Sequence, residues 1–187
     1  MRTNEQKLRQ LILYILENYN NSNLTVTKLQ KILYYCDFNY YHKHGNSISG
    51  FTYYKNHFGP TIKALPRIIK ALEDEGFIKV VKRQNYYGTS QINFSILKRP
   101  ENPDQQFNDS EKLVVDEVNR SYVGLSPSEI STLSHTDPPY IIAENQSEIE
   151  YDNVSYRDDG APEENEVNVE AQTYFEEAKF DQLFSNL

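Results

Sequence analysis

The segment 27–44 constrains this chain more than any other. Leu29, Ile32, Leu33, Cys36 and Tyr40 recur at the three–four spacing of one helical stripe, and Tyr34, Tyr35, Phe38 and Tyr41 form a second. A helix that is apolar around most of its girth has little face to give to water, so other elements must surround it. Thr25 or Thr27 can cap its start and Gly45 suits its end. The expected fold class is therefore mainly α, a compact helical domain packed around this central buried helix.

The neighbouring segments fit that plan. Leu8, Leu11, Ile12, Ile15, Leu16 and Tyr19 make the apolar face of a first helix, stopped by the polar run 20–23. Thr52-Tyr53-Tyr54 reads as a short extended piece, and Gly59-Pro60 as turn punctuation. A third helix over about 61–75 turns Ile62, Leu65, Ile69 and Leu72 inward. Pro66 lacks an amide donor, so that helix starts late or bends there. Residues 77–82 and the alternating Ile92, Phe94 and Ile96 predict a β-hairpin turning within 84–90. A further helix over about 109–122 buries Leu113, Val114 and Val118. Ser126-Pro127-Ser128-Glu129 is a capping box that launches a short helix, and Pro138-Pro139-Tyr140 starts one more turn. The small hairpin makes the class α+β at its margin.

Charge divides the chain. Residues 1–99 carry 15 Lys or Arg against 6 Asp or Glu; residues 100–187 carry 4 against 21. Such asymmetry marks an interaction surface or an acidic tail. We therefore expect a folded domain over 1–143 and an acidic extension over 144–187. Residues 145–165 have almost no apolar periodicity and read as disordered or ordered by a partner. Tyr174, Phe175, Phe180, Leu183 and Phe184 then sit among acids, as in an amphipathic helix able to dock. The lone Cys36 excludes a disulfide framework and fits a reducing, cytoplasmic setting. No signal-peptide pattern or membrane span is legible.

Catalytic patterns are weak. His42 and His44 stand two apart on a helix and point away from each other, against a metal site. Ser134-His135 with Asp137 suggests a triad only superficially, because adjacent residues rarely make the serine–histidine contact. We expect no enzyme, no metal and no cofactor. A nucleic-acid face is a sharper alternative. Lys63, Arg67 and Lys70 share one face of the third helix, and Lys82 and Arg83 lie on a hairpin arm, the outline of a winged helix-turn-helix. The acidic balance of the whole chain opposes it, since phosphate neutralisation supplies most of the affinity.

Four stretches in order carry a family resemblance. They are the run from Lys28 through Phe38, Gly50-Phe51-Thr52-Tyr53-Tyr54 with Phe58-Gly59-Pro60, the run from Leu72 through Ile78, and Leu133-Ser134-His135 followed by Asp137-Pro138-Pro139-Tyr140. Together they resemble the SocA-like, or Panacea, antitoxin domain over about residues 5–143. Tyr140 stands where a larger aromatic is more usual, and Pro66 is a second departure. The resemblance implies a mostly helical domain with a small hairpin, bacterial or phage origin, and an antitoxin that binds a cognate protein toxin. It implies mainly structural roles for Lys28, Leu29, Leu33, Tyr34, Tyr35, Phe38, Tyr54, Gly59, Pro60, His135, Pro139 and Tyr140. Leu29, Leu33, Tyr34, Phe38 and Tyr54 are expected in the core.

The acidic extension lies outside the resemblance. A toxin acting on nucleotides or on translation presents a cationic surface, which the tail's carboxylates would attract and its aromatic residues anchor. Two alternatives differ in class: a DNA-binding regulator of its own operon, contacting operator DNA, and a protease adaptor that delivers the toxin for degradation. Oligomeric state is not legible.

Overall fold

The computed structural model describes residues 5–19, 24–84, 90–98 and 106–157. The fold is mainly α with a few short antiparallel strands. In chain order the elements are α1 (Glu5–Asn18), α2 (Val26–His44), β1 (Tyr53–Asn56), β2 (Gly59–Thr61), α3 (Leu65–Asp74), β3 (Ile78–Gln84) and β4 (Ser90–Ile96). They continue with α4 (Asp109–Tyr122), α5 (Pro127–Thr136), α6 (Pro138–Ile142), β5 (Glu148–Ile149) and a 3-10 turn (Tyr151–Tyr156).

Helix α2 is central, as its two apolar stripes require. Residues 26–38 are buried without a break, and α4, α5, β2 and the 3-10 turn all pack against it. The Thr25 side chain accepts the Lys28 amide at the helix start, and Gly45, at φ +71, closes the end. Leu8, Leu11, Ile12 and Ile15 bury the inner face of α1. Each such side chain contributes roughly 1.5–3 kcal/mol of apolar transfer. Pro66 sits at the start of α3, where an amide donor is not needed, so the helix begins late.

Two small sheets flank the helices. One has the order β2-β1-β5, with Lys55 opposite Pro60 and Tyr53 opposite Ile149. Pro60 is tolerated because β2 is an edge strand. The other is the hairpin β3-β4, in register from Ile78↔Ile96 to Gln84↔Ser90. A single bridge, Thr25↔Asn93, ties this hairpin to the start of α2.

Three expectations need correction. Leu113 was expected in the core of α4 but is 63% exposed; Val115 is buried instead, beside Val114 and Val118. The buried face of α4 runs through Glu111, Val114, Val115, Val118 and Asn119, and at 100° per residue Leu113 falls outside that arc. Tyr54 is only half-buried, because side chains alternate along a strand and Tyr53 takes the inward position. Finally, the start of the stretch expected to be disordered is built into the fold. Glu148–Ile149 pairs with β1, Val154 is buried, and Tyr151 stacks on Phe38 with ring centroids 4.4 Å apart. A two-residue strand and one 3-10 turn are too short to show a period, so the sequence pattern could not announce them. The remaining expectation, of an ordered or disordered tail over 158–187, lies outside the described residues.

Candidate functional site

Three of the four resemblance stretches converge where α2, the β2-β1-β5 sheet, α5 and α6 meet; the fourth, Leu72 through Ile78, joins α3 to β3. Charged and polar side chains occupy positions on α2 that its length and apolar flanks drive inward. Lys31 is fully buried, and its ammonium donates to the Pro60 carbonyl at 3.2 Å. Gly59, at φ +93, lets the hairpin turn close against it. A Cβ there would lie 2.4 Å from Ser134 Oγ and 2.7 Å from Lys31 Cε. Ser131 Oγ donates to the Phe58 carbonyl, and Ser134 Oγ donates to the Ser131 carbonyl. Tyr140 donates to the Asn56 carbonyl at 2.6 Å, while its ring packs on His135 and lies under the Lys55 ammonium.

Two buried carboxylates anchor this region. Asp37 accepts the Ser49 amide at 2.7 Å, the Ser49 hydroxyl, and the Tyr53 hydroxyl at 2.7 Å. Burial nevertheless pushes its carboxyl up to about 6, with the Ser49 and Tyr53 hydrogen bonds pulling the other way. Asp137 receives the Arg157 guanidinium through two donors, at 2.7 and 2.5 Å, and the Tyr34 hydroxyl at 2.6 Å. Arg157 also donates to Asn39 at 2.9 Å. This fork of parallel bonds is the strongest ion-pair geometry available to a carboxylate. It locks the end of the described chain onto α2.

These contacts decide what the suspected triad can do. Ser134 gives its proton to a carbonyl, and Asp137 is committed to Arg157 and Tyr34. His135 Nε2 is buried with no partner, and burial, reinforced by the Lys31 charge, pushes the ring down to about 4. The three do not form a proton relay. Among the described residues no group of three His, Cys, Asp or Glu is arranged to hold a metal. Cys36 is buried and its thiol is pushed well up by that burial, away from the reactive thiolate.

The remaining motif residues Leu29, Leu33, Phe38 and Pro139 are buried, as are Tyr34 and Tyr35. Tyr35 stacks on Tyr122 across the α2–α4 seam at 4.6 Å. Lys28 donates to the Val123 and Leu125 carbonyls at 3.3 and 2.5 Å, the exposed end of α4 being satisfied by a cation from α2. Burial pushes the Lys28 ammonium down.

The basic residues of the nucleic-acid alternative are spread over α3, the segment before it and β3, and several have partners within the chain. Arg67 is held by Glu5, Lys70 pairs with Asp74, and Lys63 lies over the Tyr54 ring at 3.5 Å. Lys82 and Arg83 stand at the far end of β3 from the α3 junction. Arg83 instead borders a polar cavity of about 530 Å³ with Lys28, Gln91, Asn93, Ser126 and Glu129. The tail residues Tyr174, Phe175, Phe180, Leu183 and Phe184 lie outside the described residues.

Sequence reasoning did not assign roles to Lys31, Asp37, Ser49, Tyr53 and Arg157. Lys31 and Asp37 carried a usable signal: a charge inside an otherwise apolar helix must find a partner or remain at high cost. Arg157 carried none, since its partner is twenty residues back across a polar stretch.

Residues 29–141 match the family model described as antitoxin SocA-like, Panacea domain. Neither a curated protein nor a solved structure matches the chain. No described helix is long and apolar enough to cross a membrane.

Proposed function

The chain belongs to the SocA-like Panacea antitoxin family, and from that premise we propose that it neutralises a cognate protein toxin by forming a direct complex with it. The family match over more than half of the chain carries this reading. The site geometry supports it: the buried polar side chains of the motif region tie secondary-structure elements together, and Ser134, His135 and Asp137 do not converge on a reacting centre. A scaffold of this kind acts through its outer surface, without chemistry of its own. The setting is the bacterial cytoplasm, and the toxin targets nucleotides or translation.

The acidic extension is the first candidate for a gripping element. Its carboxylates raise the rate of encounter with a basic toxin, and Tyr174, Phe175, Phe180, Leu183 and Phe184 supply apolar anchors. Because Ile149, Val154 and Arg157 belong to the packed fold, the informative truncation removes residues 158–187 only. In cells expressing the product of the adjacent open reading frame, the full chain should restore growth. The truncated chain should restore it at least about tenfold less well at matched expression, a change worth about 1.4 kcal/mol of binding. Equal rescue by the two chains would assign the grip to the folded part alone.

A further inference from the structure

Among the described residues, five large apolar side chains are exposed: Leu97, Leu113, Ile141, Ile142 and Tyr156. Leu97 and Leu113 stand on separate elements, β4's end and α4. The other three belong to α6 and the 3-10 turn, which pack directly on each other. Ile141 is 56% exposed, Ile142 48% and Tyr156 67%. Single exposed apolar residues are ordinary, but three of them on two short elements packed against each other mark an interaction site.

The charge around this face restricts what can cover it. From Ser121 through Tyr156 the sequence has no Lys or Arg. Glu144, Glu148, Glu150 and Asp152, on the same short stretch, are all exposed. The cations at its edges, Lys55 and Arg157, are engaged inward. Lys55 donates to the Ile141 and Ala143 carbonyls at the end of α6, and Arg157 is bound by Asp137. The chain's own residues 158–187, with nine Asp or Glu against Lys179, would meet like charge here. A second copy placed face to face would do the same, as would nucleic acid or an anionic lipid surface. Like charges juxtaposed in an interface oppose association. The fitting occupant is a basic protein surface with an apolar centre.

We infer that the face formed by Ile141, Ile142 and Tyr156, with its carboxylate surround, is where the folded domain docks the cationic toxin. This rests on the antitoxin reading and adds a surface to it. The docking face lies beside Arg157, from which the acidic extension departs, so one basic partner can meet both.

The test uses the full chain and the purified product of the adjacent open reading frame. Replacing Ile141, Ile142 and Tyr156 together by Ser should weaken the complex by about 100-fold, the scale of an interface hot spot. Leu113→Ser, an equally exposed apolar site elsewhere, should change it by less than about threefold. Glu144→Lys with Glu150→Lys removes no packing and covers the case in which the triple variant folds poorly. It should slow association about tenfold at low salt, with the effect fading at high salt. If the wild type captures the toxin and rescues cells while the triple variant binds within threefold of it, the docking face is wrong and the antitoxin reading stands. If the wild type neither captures the product nor rescues cells, the antitoxin reading falls and takes this inference with it.

Discussion

The two small sheets are built to opposite specifications. The β2-β1-β5 sheet is pinned from within, by Lys31 at Pro60, Asp37 at Tyr53 and Tyr140 at Asn56. The β3-β4 hairpin turns Lys82, Arg83 and Gln84 outward and reaches the start of α2 through one bridge, Thr25↔Asn93. In the first sheet polar residues are structural, because desolvated groups must be satisfied and so fix geometry. In the second, Lys82, Arg83 and Gln84 are exposed, while Ile78, Ile92 and Asn93 are buried, and cross-strand pairing sets the register. The resemblance stretches in β1 and β2 therefore describe a scaffold, while the basic end of the hairpin, Lys82 through Gln84, is surface.

This contrast predicts graded effects. The largest belongs to Gly59. A Val there meets Ser134 and Lys31 and must adopt a left-handed φ, so Gly59→Val should lower unfolding free energy by about 3–5 kcal/mol, from strain and overpacking together. Denaturant unfolding measures it; a loss below about 1 kcal/mol would show that the β2-β1-β5 sheet is not tightly pinned.

Asp37 comes next and is read through pH. Its carboxyl is held up at about 6 in the fold, against an ordinary 3.8. The folded state thus keeps a proton that the unfolded chain releases. The stability this group contributes is full below about 4 and is lost as pH rises through 6, amounting to roughly 3 kcal/mol. Asp37→Asn removes that titration. Wild-type stability relative to the variant should fall by about that amount from pH 4 to pH 7. His135, pushed down to about 4, contributes with opposite sign: its stability is present above about 6.5 and is lost as pH falls toward 4. It cancels in the comparison because both proteins carry it. A pH-independent difference would mean that Asp37 is not desolvated.

The smallest effect belongs to the hairpin. Lys82→Ala and Arg83→Ala should each change stability by less than about 0.5 kcal/mol, as exposed substitutions away from packed features do. A loss above 1.5 kcal/mol in either would erase the distinction between the sheets.

What could be read from the chain alone followed period length. α2, α1 and the hairpin each repeat their pattern over several turns or residues, and the Ser126–Glu129 capping box is a local rule obeyed locally: Ser126 and Glu129 each satisfy the other's backbone amide. Asn108 with Glu111 does the same at the start of α4. Leu113 misled because α4 has a narrow apolar face and three consecutive apolar residues, which allow two phases. β2 was hidden by Pro60, and β5 by its length of two residues. The polar ties of the motif region were half legible. Lys31 and Asp37 announced a need for partners, but the partners lie far along the chain and only the fold brings them near. The Ile141, Ile142 and Tyr156 face was invisible for a related reason, since exposure is a property of packing and not of residue type.

The bond from Arg157 to Asp137, with Tyr34 donating to the same carboxylate, has a consequence for how the protein is made. Ribosomes add roughly 5–20 residues per second, so Tyr34 emerges several seconds or more before the residues it must meet. Until then the first half of the nascent polypeptide holds an unfinished cradle, and a message broken upstream of that arginine yields a product lacking its final clasp. Competence in this protein waits on the synthesis of Arg157.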